Sequence, residues 1–180
     1  MKKEPSTLDQ VTGRSSEKRV MPDTLPPPSP QDLAKQELSN QLMEELSNYL
    51  AQQKDMSEYA ALVSRMQGKN LFANASNQGY RILALSNAAL QKLPAREREM
   101  LTDASGVHAG YQMKFFIHHT CPEPNNAYSG YAYRALAGQN LNFTNDSVGM
   151  PDLKRKVAYQ KEAQVGTKLQ VYRLTGPLFY

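Results

Sequence analysis

"GYQMKFFIHHTCPEPNNAYSGYAYRAL", residues 110–136, holds the single cysteine and two of the three histidines of the chain. Its first half decides how the back of the chain is read. Tyr111, Met113, Phe115 and Ile117 alternate with Gln112, Lys114, Phe116 and His118. A period of two is the mark of a half-buried strand. The alternation runs into His118-His119-Thr120-Cys121, where three metal-ligand side chains fall within four residues. Imidazole and thiolate suit zinc, but a structural zinc site takes four ligands, usually as two spaced pairs. On a strand His118 and His119 point to opposite faces, and the third histidine, His108, lies at the far end of the same run. A thiol nucleophile needs a base across a pocket and a feature that lowers its pKa. Cys121 precedes Pro122 in a loop and has neither in view. The expectation is a strand that ends, its polar residues entering the loop "CPEPNNAYSG". Neither a metal nor a cofactor is expected.

Working outward towards the C-terminus, "YAYRALA" and "LNFTND" read as two further strands, joined by a tight turn around Gly138-Gln139-Asn140. "GMPDLKRKVAYQKEAQVG" predicts a helix from Pro151 to about Glu162. "TKLQVYRL" reads as a fourth strand, and Gly176-Pro177 stops it.

Working outward towards the N-terminus, the chain reads as helical. Ser29-Pro30-Gln31-Asp32 is a helix start: a capping hydroxyl, a proline suited to the first helical position, and a negative charge on the first turn. Leu38, Leu42, Met43, Leu46, Tyr49 and Leu50 follow at three- and four-residue steps and predict a helix over about 30–53. Asp55-Met56-Ser57-Glu58 has capping-box spacing and opens a second helix, with Tyr59, Leu62, Val63 and Met66 on its buried face and Gly68 at its end. The two form a helical hairpin whose apolar stripe is too short for a sustained heptad and reads as core. "NLFANASNQG" is a loop. "YRILAL" fits a short strand or the front of a helix, since periodicity cannot separate these. Ser86 caps a short helix in "NAALQKL", and Pro94 restarts the chain into "AREREMLTDA". Residues 1–28, rich in Ser, Thr, Pro and charge, read as a disordered tail with a polyproline II end. The whole is an α+β domain over 29–180: helical over 29–105, mostly β over 106–180, with a small, mostly antiparallel sheet of about four strands.

The apolar share of 40% is enough for a core, and the mean hydropathy is −0.62. No run of about 18 apolar residues exists, so no membrane span is expected. The basic N-terminus lacks an apolar run behind it, so Sec-type secretion is not expected. One cysteine cannot make an internal disulfide. The expected address is the cytoplasm, or export by a route without a cleaved apolar signal. Charge is uneven: residues 106–180 carry eight Lys/Arg against four Asp/Glu, while residues 31–105 carry eight against nine. An acidic partner is expected at the last third.

Lys154, Arg155, Lys156, Lys161, Lys168 and Arg173 stand among Tyr131, Tyr133, Phe143, Tyr159 and Tyr172. Clustered cations suit phosphates and exposed aromatics suit single-stranded bases, so these six residues are the candidates for nucleic-acid binding. No phosphate-binding glycine loop, dinucleotide fingerprint, zinc-protease helix or serine elbow is present.

One chain-order pattern resembles the arginine-type ADP-ribosyltransferase toxins. "YAYRAL" offers Arg134, "FTNDS" offers Thr144 and Ser147, and "YQKEAQVGTKLQV" offers Gln160 and Glu162. The resemblance implies that Arg134 and Ser147 hold NAD and that Glu162 stabilises the oxocarbenium left by nicotinamide. The chain departs from that pattern at Ala135, in the serine motif and in the short step from Ser147 to Glu162. The first expectation is a binding or effector-type accessory protein acting through contacts with a protein partner. Nucleic-acid binding is the alternative, and an ADP-ribosyltransferase-like effector is the second alternative.

Overall fold

The computed structural model describes residues 25–73, 79–124 and 133–180. Most of the 1–28 segment therefore lies outside the described residues, as do Tyr131 and part of the loop after Cys121. The chain is α+β, with helices and a seven-stranded mixed sheet.

Local signals account for the front. Helix α1 runs Pro30–Ala51: the Ser29 hydroxyl accepts from the Asp32 N–H at 3.2 Å, and the Ser29 N–H donates to the Asp32 carboxylate at 3.3 Å. A 3-10 turn at Lys54–Met56 leads into α2, Ser57–Arg65. The capping box expected at Asp55 is absent. Asn87, at the start of the short α3 (Asn87–Leu90), accepts from the Glu58 N–H at 3.0 Å instead. Helix α4 is Ala95–Thr102. Leu42, Met43, Leu46 and Leu50 of α1 join Tyr59, Leu62 and Val63 of α2 in one core cluster.

Tyr80–Leu85, which the sequence leaves open between strand and helix, is strand β1. It lies well inside the sheet, so the front stretch is not helical throughout.

The 111–118 segment is not a strand. It is helix α5, Ala109–His118. Met113 and Phe116 decide it. The alternating pattern places Met113 inside and Phe116 outside, but Met113 is 37% exposed and Phe116 is fully buried. Gln112, Phe115, Phe116 and His119 are buried at helical steps. The Gln112 amide donates to the backbone oxygens of Met100 and Asp103 and accepts from the Arg65 guanidinium, so a buried polar group is satisfied across three helices.

Thr120–Pro122 is β2, Tyr133–Arg134 β3, Asn140–Phe143 β4 and Ser147–Met150 β5. The helix expected from Pro151 to Glu162 is also overturned. A single 3-10 turn at Pro151–Leu153 ends in left-handed Lys154 (φ 52), and Arg155–Val165 is the eleven-residue strand β6. Half-burial of Arg155, Val157 and Tyr159 against exposure of Lys156, Ala158 and Gln160 shows the period of two. Leu169–Leu174 is β7. The order is β2-β1-β7-β6-β5-β4-β3, so the sheet has seven strands rather than about four. Among the described strands, only the β1–β7 pair is parallel.

The sheet curls almost into a barrel. The two outermost strands approach, and the Leu136 N–H after β3 donates to Thr120 O in β2 at 2.8 Å. The outer surface at β6 and β7 is met by α1 and the turn after it, where Asp55 reaches Arg173. Among the described residues no α-helix makes extensive contact with β3, β4 or β5, and the 3-10 turn at Pro151–Leu153 lies against β4. Among those residues, no helix is long and apolar enough to cross a membrane.

Candidate functional site

His118 and His119 end α5 and are held there. The His118 ring stacks on Phe179 at 3.8 Å, and its Nδ1 meets Lys114 O at 2.6 Å. His119 is fully buried. Its Nδ1 is 2.8 Å from Phe115 O, and its Nε2 accepts from the Leu178 N–H at 3.0 Å. A carbonyl partner requires a proton on Nδ1 and an amide partner requires none on Nε2, so the two contacts define one neutral tautomer. Burial drives its pKa down to about 3. The Cys121 thiol is buried and pushed up to about 12, mainly by that burial. Among the described residues no three of His, Cys, Asp and Glu converge as metal ligands would.

The basic candidates separate into tied and exposed groups. The Arg155 guanidinium lies 3.5 Å from the Tyr180 ring centroid and donates to Leu178 O. Arg173 is paired with both Asp55 and Glu162. Lys154, Lys156 and Lys161 are exposed, and Lys168 is half-buried beside the β6–β7 turn. Lys154, Arg155 and Lys156 line one cleft of about 390 Å³ with Asn142, Thr144 and Gly149.

Arg134, Ser147 and Glu162 sit on three strands, β3, β5 and β6. Arg134 is exposed, whereas the Ser147 hydroxyl is buried against Thr144 Oγ1 at 2.6 Å. Glu162 is the extra residue of a β-bulge, since Lys161 pairs with Tyr172 and Ala163 with Val171. The bulge turns Glu162 towards Arg173, with Oε1 2.6 Å from Nε. The Tyr49 hydroxyl of α1 lies near the same carboxylate; its pKa is raised, first by burial and then by the charge of Glu162. Two strands separate Arg134 from Glu162, a step of roughly 14 Å at ordinary strand spacing. The structure brings Glu162 to Arg173 and Tyr49, and does not bring it to Arg134.

The aromatics Tyr133, Phe143, Tyr159 and Tyr172 do come together, but on the inner face of the barrel. Their rings meet at tilted or edge-on angles, with centroids 5.0–6.2 Å apart. Arg81 of β1, a residue sequence reasoning passes over, stands among them. Its guanidinium lies 4.2 Å from the Tyr133 centroid and 4.8 Å from that of Phe143. Nε donates to Glu123 Oε1 at 2.5 Å and Nη2 to the Tyr133 hydroxyl at 2.8 Å. Burial works against its charge, but the hydrogen bond and charge of Glu123 outweigh burial and hold its pKa above the ordinary value. An arginine in a strand whose partners come from four other segments leaves no local sequence signal.

With the aromatics turned inward, the outer face of β3 to β6 is left to small and polar groups. Cross-strand pairs align Arg134 with Asn140, and Asn142 with Gly149 and Lys156. Ala158 and Gln160 continue the row along β6. Asp146 and Asp152 stand at the turns beside this face, Asp152 accepting from the Asn140 N–H at 3.4 Å. No protein-family model matches the chain, and comparison with curated proteins finds no match.

Proposed function

We propose that the protein is a non-catalytic binding protein that engages an acidic surface of a protein partner through the outer face of β3 to β6. The observation that carries this reading is the make-up of that face. Arg134, Lys154 and Lys156 are exposed across it, set among Asn140, Asn142, Gly149, Ala158 and Gln160. Spread cations among neutral amides complement acidic side chains and steer an oppositely charged partner. Among the described residues the face presents no aromatic ring for a base to stack on, because Tyr133, Phe143, Tyr159 and Tyr172 pack around Arg81 inside the barrel. Stacking supplies much of single-strand affinity, which ranks nucleic acid second. The cleft lined by Lys154 and Lys156 is what favours that second reading.

The test is direct binding of the full chain to labelled poly-glutamate and to single-stranded and duplex oligonucleotides, from low to moderate salt. A triple variant, Arg134→Glu, Lys154→Glu and Lys156→Glu, is measured alongside. Poly-glutamate binding that falls at least about tenfold in the triple variant, with weaker oligonucleotide binding, supports the acidic-protein reading. Tighter, steeply salt-dependent oligonucleotide binding moves the function to nucleic acid. No binding of either polyanion removes both.

A further inference from the structure

The mouth of the barrel holds a charged pair beside the closing seam. The side chains of Arg81 and Glu123 are only 17% and 19% exposed. Taking two charges that far out of water is often no more stabilising than an apolar pair of the same volume. Nη1 of Arg81 and Oε2 of Glu123 have no protein partner among the described residues. Both residues line an open cavity of about 330 Å³, with Tyr133, Gln164, Thr167, Lys168 and Gln170 in its wall. Gln170 Oε1 accepts from the Tyr172 hydroxyl at 3.2 Å, and its amide nitrogen has no partner among the described residues.

The cavity is built by a close backbone approach. Gly79 has φ +97, and a Cβ there would sit 2.1 Å from Lys168 O. The Tyr80 N–H bonds that same oxygen at 2.7 Å. Glycine lets the start of β1 lie against the β6–β7 turn, which brings Arg81 under Gln164 and Gln170.

We infer that this cavity binds a free α-amino acid, its carboxylate on Arg81 Nη1 and its ammonium on Glu123 Oε2. Charge selects this class. A simple anion would lie against Glu123 and a simple cation against Arg81 and Lys168, whereas a zwitterion sets each of its charges against an opposite one. Size agrees, since about 330 Å³ is at the lower end of ligand pockets and too small for a dinucleotide. Gln164 and Gln170 supply neutral donors and acceptors, and the Tyr133 ring an apolar wall.

Isothermal titration calorimetry of the full chain tests this. The probes are glycine, alanine, glutamate, arginine and phenylalanine, with acetate and methylammonium as single-charge controls. The expected result is saturable binding of at least one amino acid, none of either control, and affinity reduced at least tenfold in Glu123→Gln. Gln170→Leu leaves the Arg81–Glu123 and Arg81–Tyr133 contacts intact, so it folds, and it also weakens binding. Saturable binding of no amino acid overturns the inference. So does acetate binding as tightly as the amino acids, or wild-type affinity in both variants. The outer face of β3 to β6 is not involved, so this result is independent of the one for the acidic partner.

Discussion

Arg81 and Tyr133 are 52 residues apart in the chain and meet where the barrel closes, through a 2.8 Å bond from Nη2 to the phenolic oxygen with the guanidinium 4.2 Å from the ring centroid. Glu123, just past β2, holds the other side of the same guanidinium. One side chain therefore joins β1, the end of β2 and β3, the segments that form the seam. Tyr133→Phe keeps the ring and loses the bond, and is expected to cost about 1 kcal/mol. Tyr133→Ala also removes the ring from Arg81 and from Phe143, 5.0 Å away, and is expected to cost roughly 3 kcal/mol. Urea unfolding of both variants decides it. If the alanine variant is no less stable than the phenylalanine variant, the ring plays no part in closing the barrel.

Acid should weaken the fold through His119. Its pKa in the folded chain is about 3 against an ordinary 6.5, because burial disfavours the charged ring. The unfolded chain therefore takes up a proton that the folded chain refuses. The stabilisation is complete above about pH 6.5 and is lost as pH falls from there towards 3. At about 1.4 kcal/mol per pH unit, roughly 2 kcal/mol is lost by pH 5. His118, also lowered mainly by burial, acts in the same direction. Ring nitrogen shifts followed by NMR should show His119 still neutral, protonated on Nδ1, at pH 5. A ring titrating near 6.5 would contradict the two backbone contacts that define its tautomer.

Cys121 should be silent to thiol reagents while the chain is folded. Its side chain is buried on β2, and burial raises its pKa to about 12, so almost no thiolate exists near neutral pH. A chromogenic disulfide reagent at pH 8 is expected to label it only as fast as the fold opens, and at once in denaturant. Fast labelling of the native chain would mean that β2 detaches from β1 readily.

What could be read from the sequence follows the range of each interaction. Ser29 and Asp32 cap α1 from three residues apart, and Ser86 caps α3 through the Ala89 N–H. Both are visible in a short window. The cap of α2 comes from Asn87, 29 residues away, and no window shows it. Residues 111–118 carry both periods at once, and only the burial of Phe116 against Phe72, at 6.2 Å between rings, chooses the helix. Strand β6 hides among helix formers such as Lys156, Lys161 and Glu162, and the bulge at Glu162 breaks its alternation before it can be counted. The inward turn of Tyr133, Phe143, Tyr159 and Tyr172 depends on closure of the sheet, a property of all seven strands together. That is why the aromatics read as a stacking surface in the sequence and form a wall around Arg81 in the fold.

Two glycines with the same backbone sign separate strain from steric exclusion. Gly79 and Gly106 have φ +97 and +89, both in the left-handed region. A Cβ at Gly106 meets nothing within 4 Å, while one at Gly79 would stand 2.1 Å from the backbone oxygen of Lys168. Gly106→Ala therefore carries only the left-handed strain, about 1–2 kcal/mol. Gly79→Ala carries that strain and a collision with backbone that cannot rotate away, so β1 must move off the β6–β7 turn. Its cost should exceed that of Gly106→Ala by at least about 2 kcal/mol. Because the turn forms one wall of the barrel mouth, the amide signals of Gln164, Thr167 and Gln170 should also shift in Gly79→Ala and stay in place in Gly106→Ala. Equal stabilities, or unchanged amides at the turn, would mean that the close approach of Gly79 to Lys168 does not hold the mouth in shape.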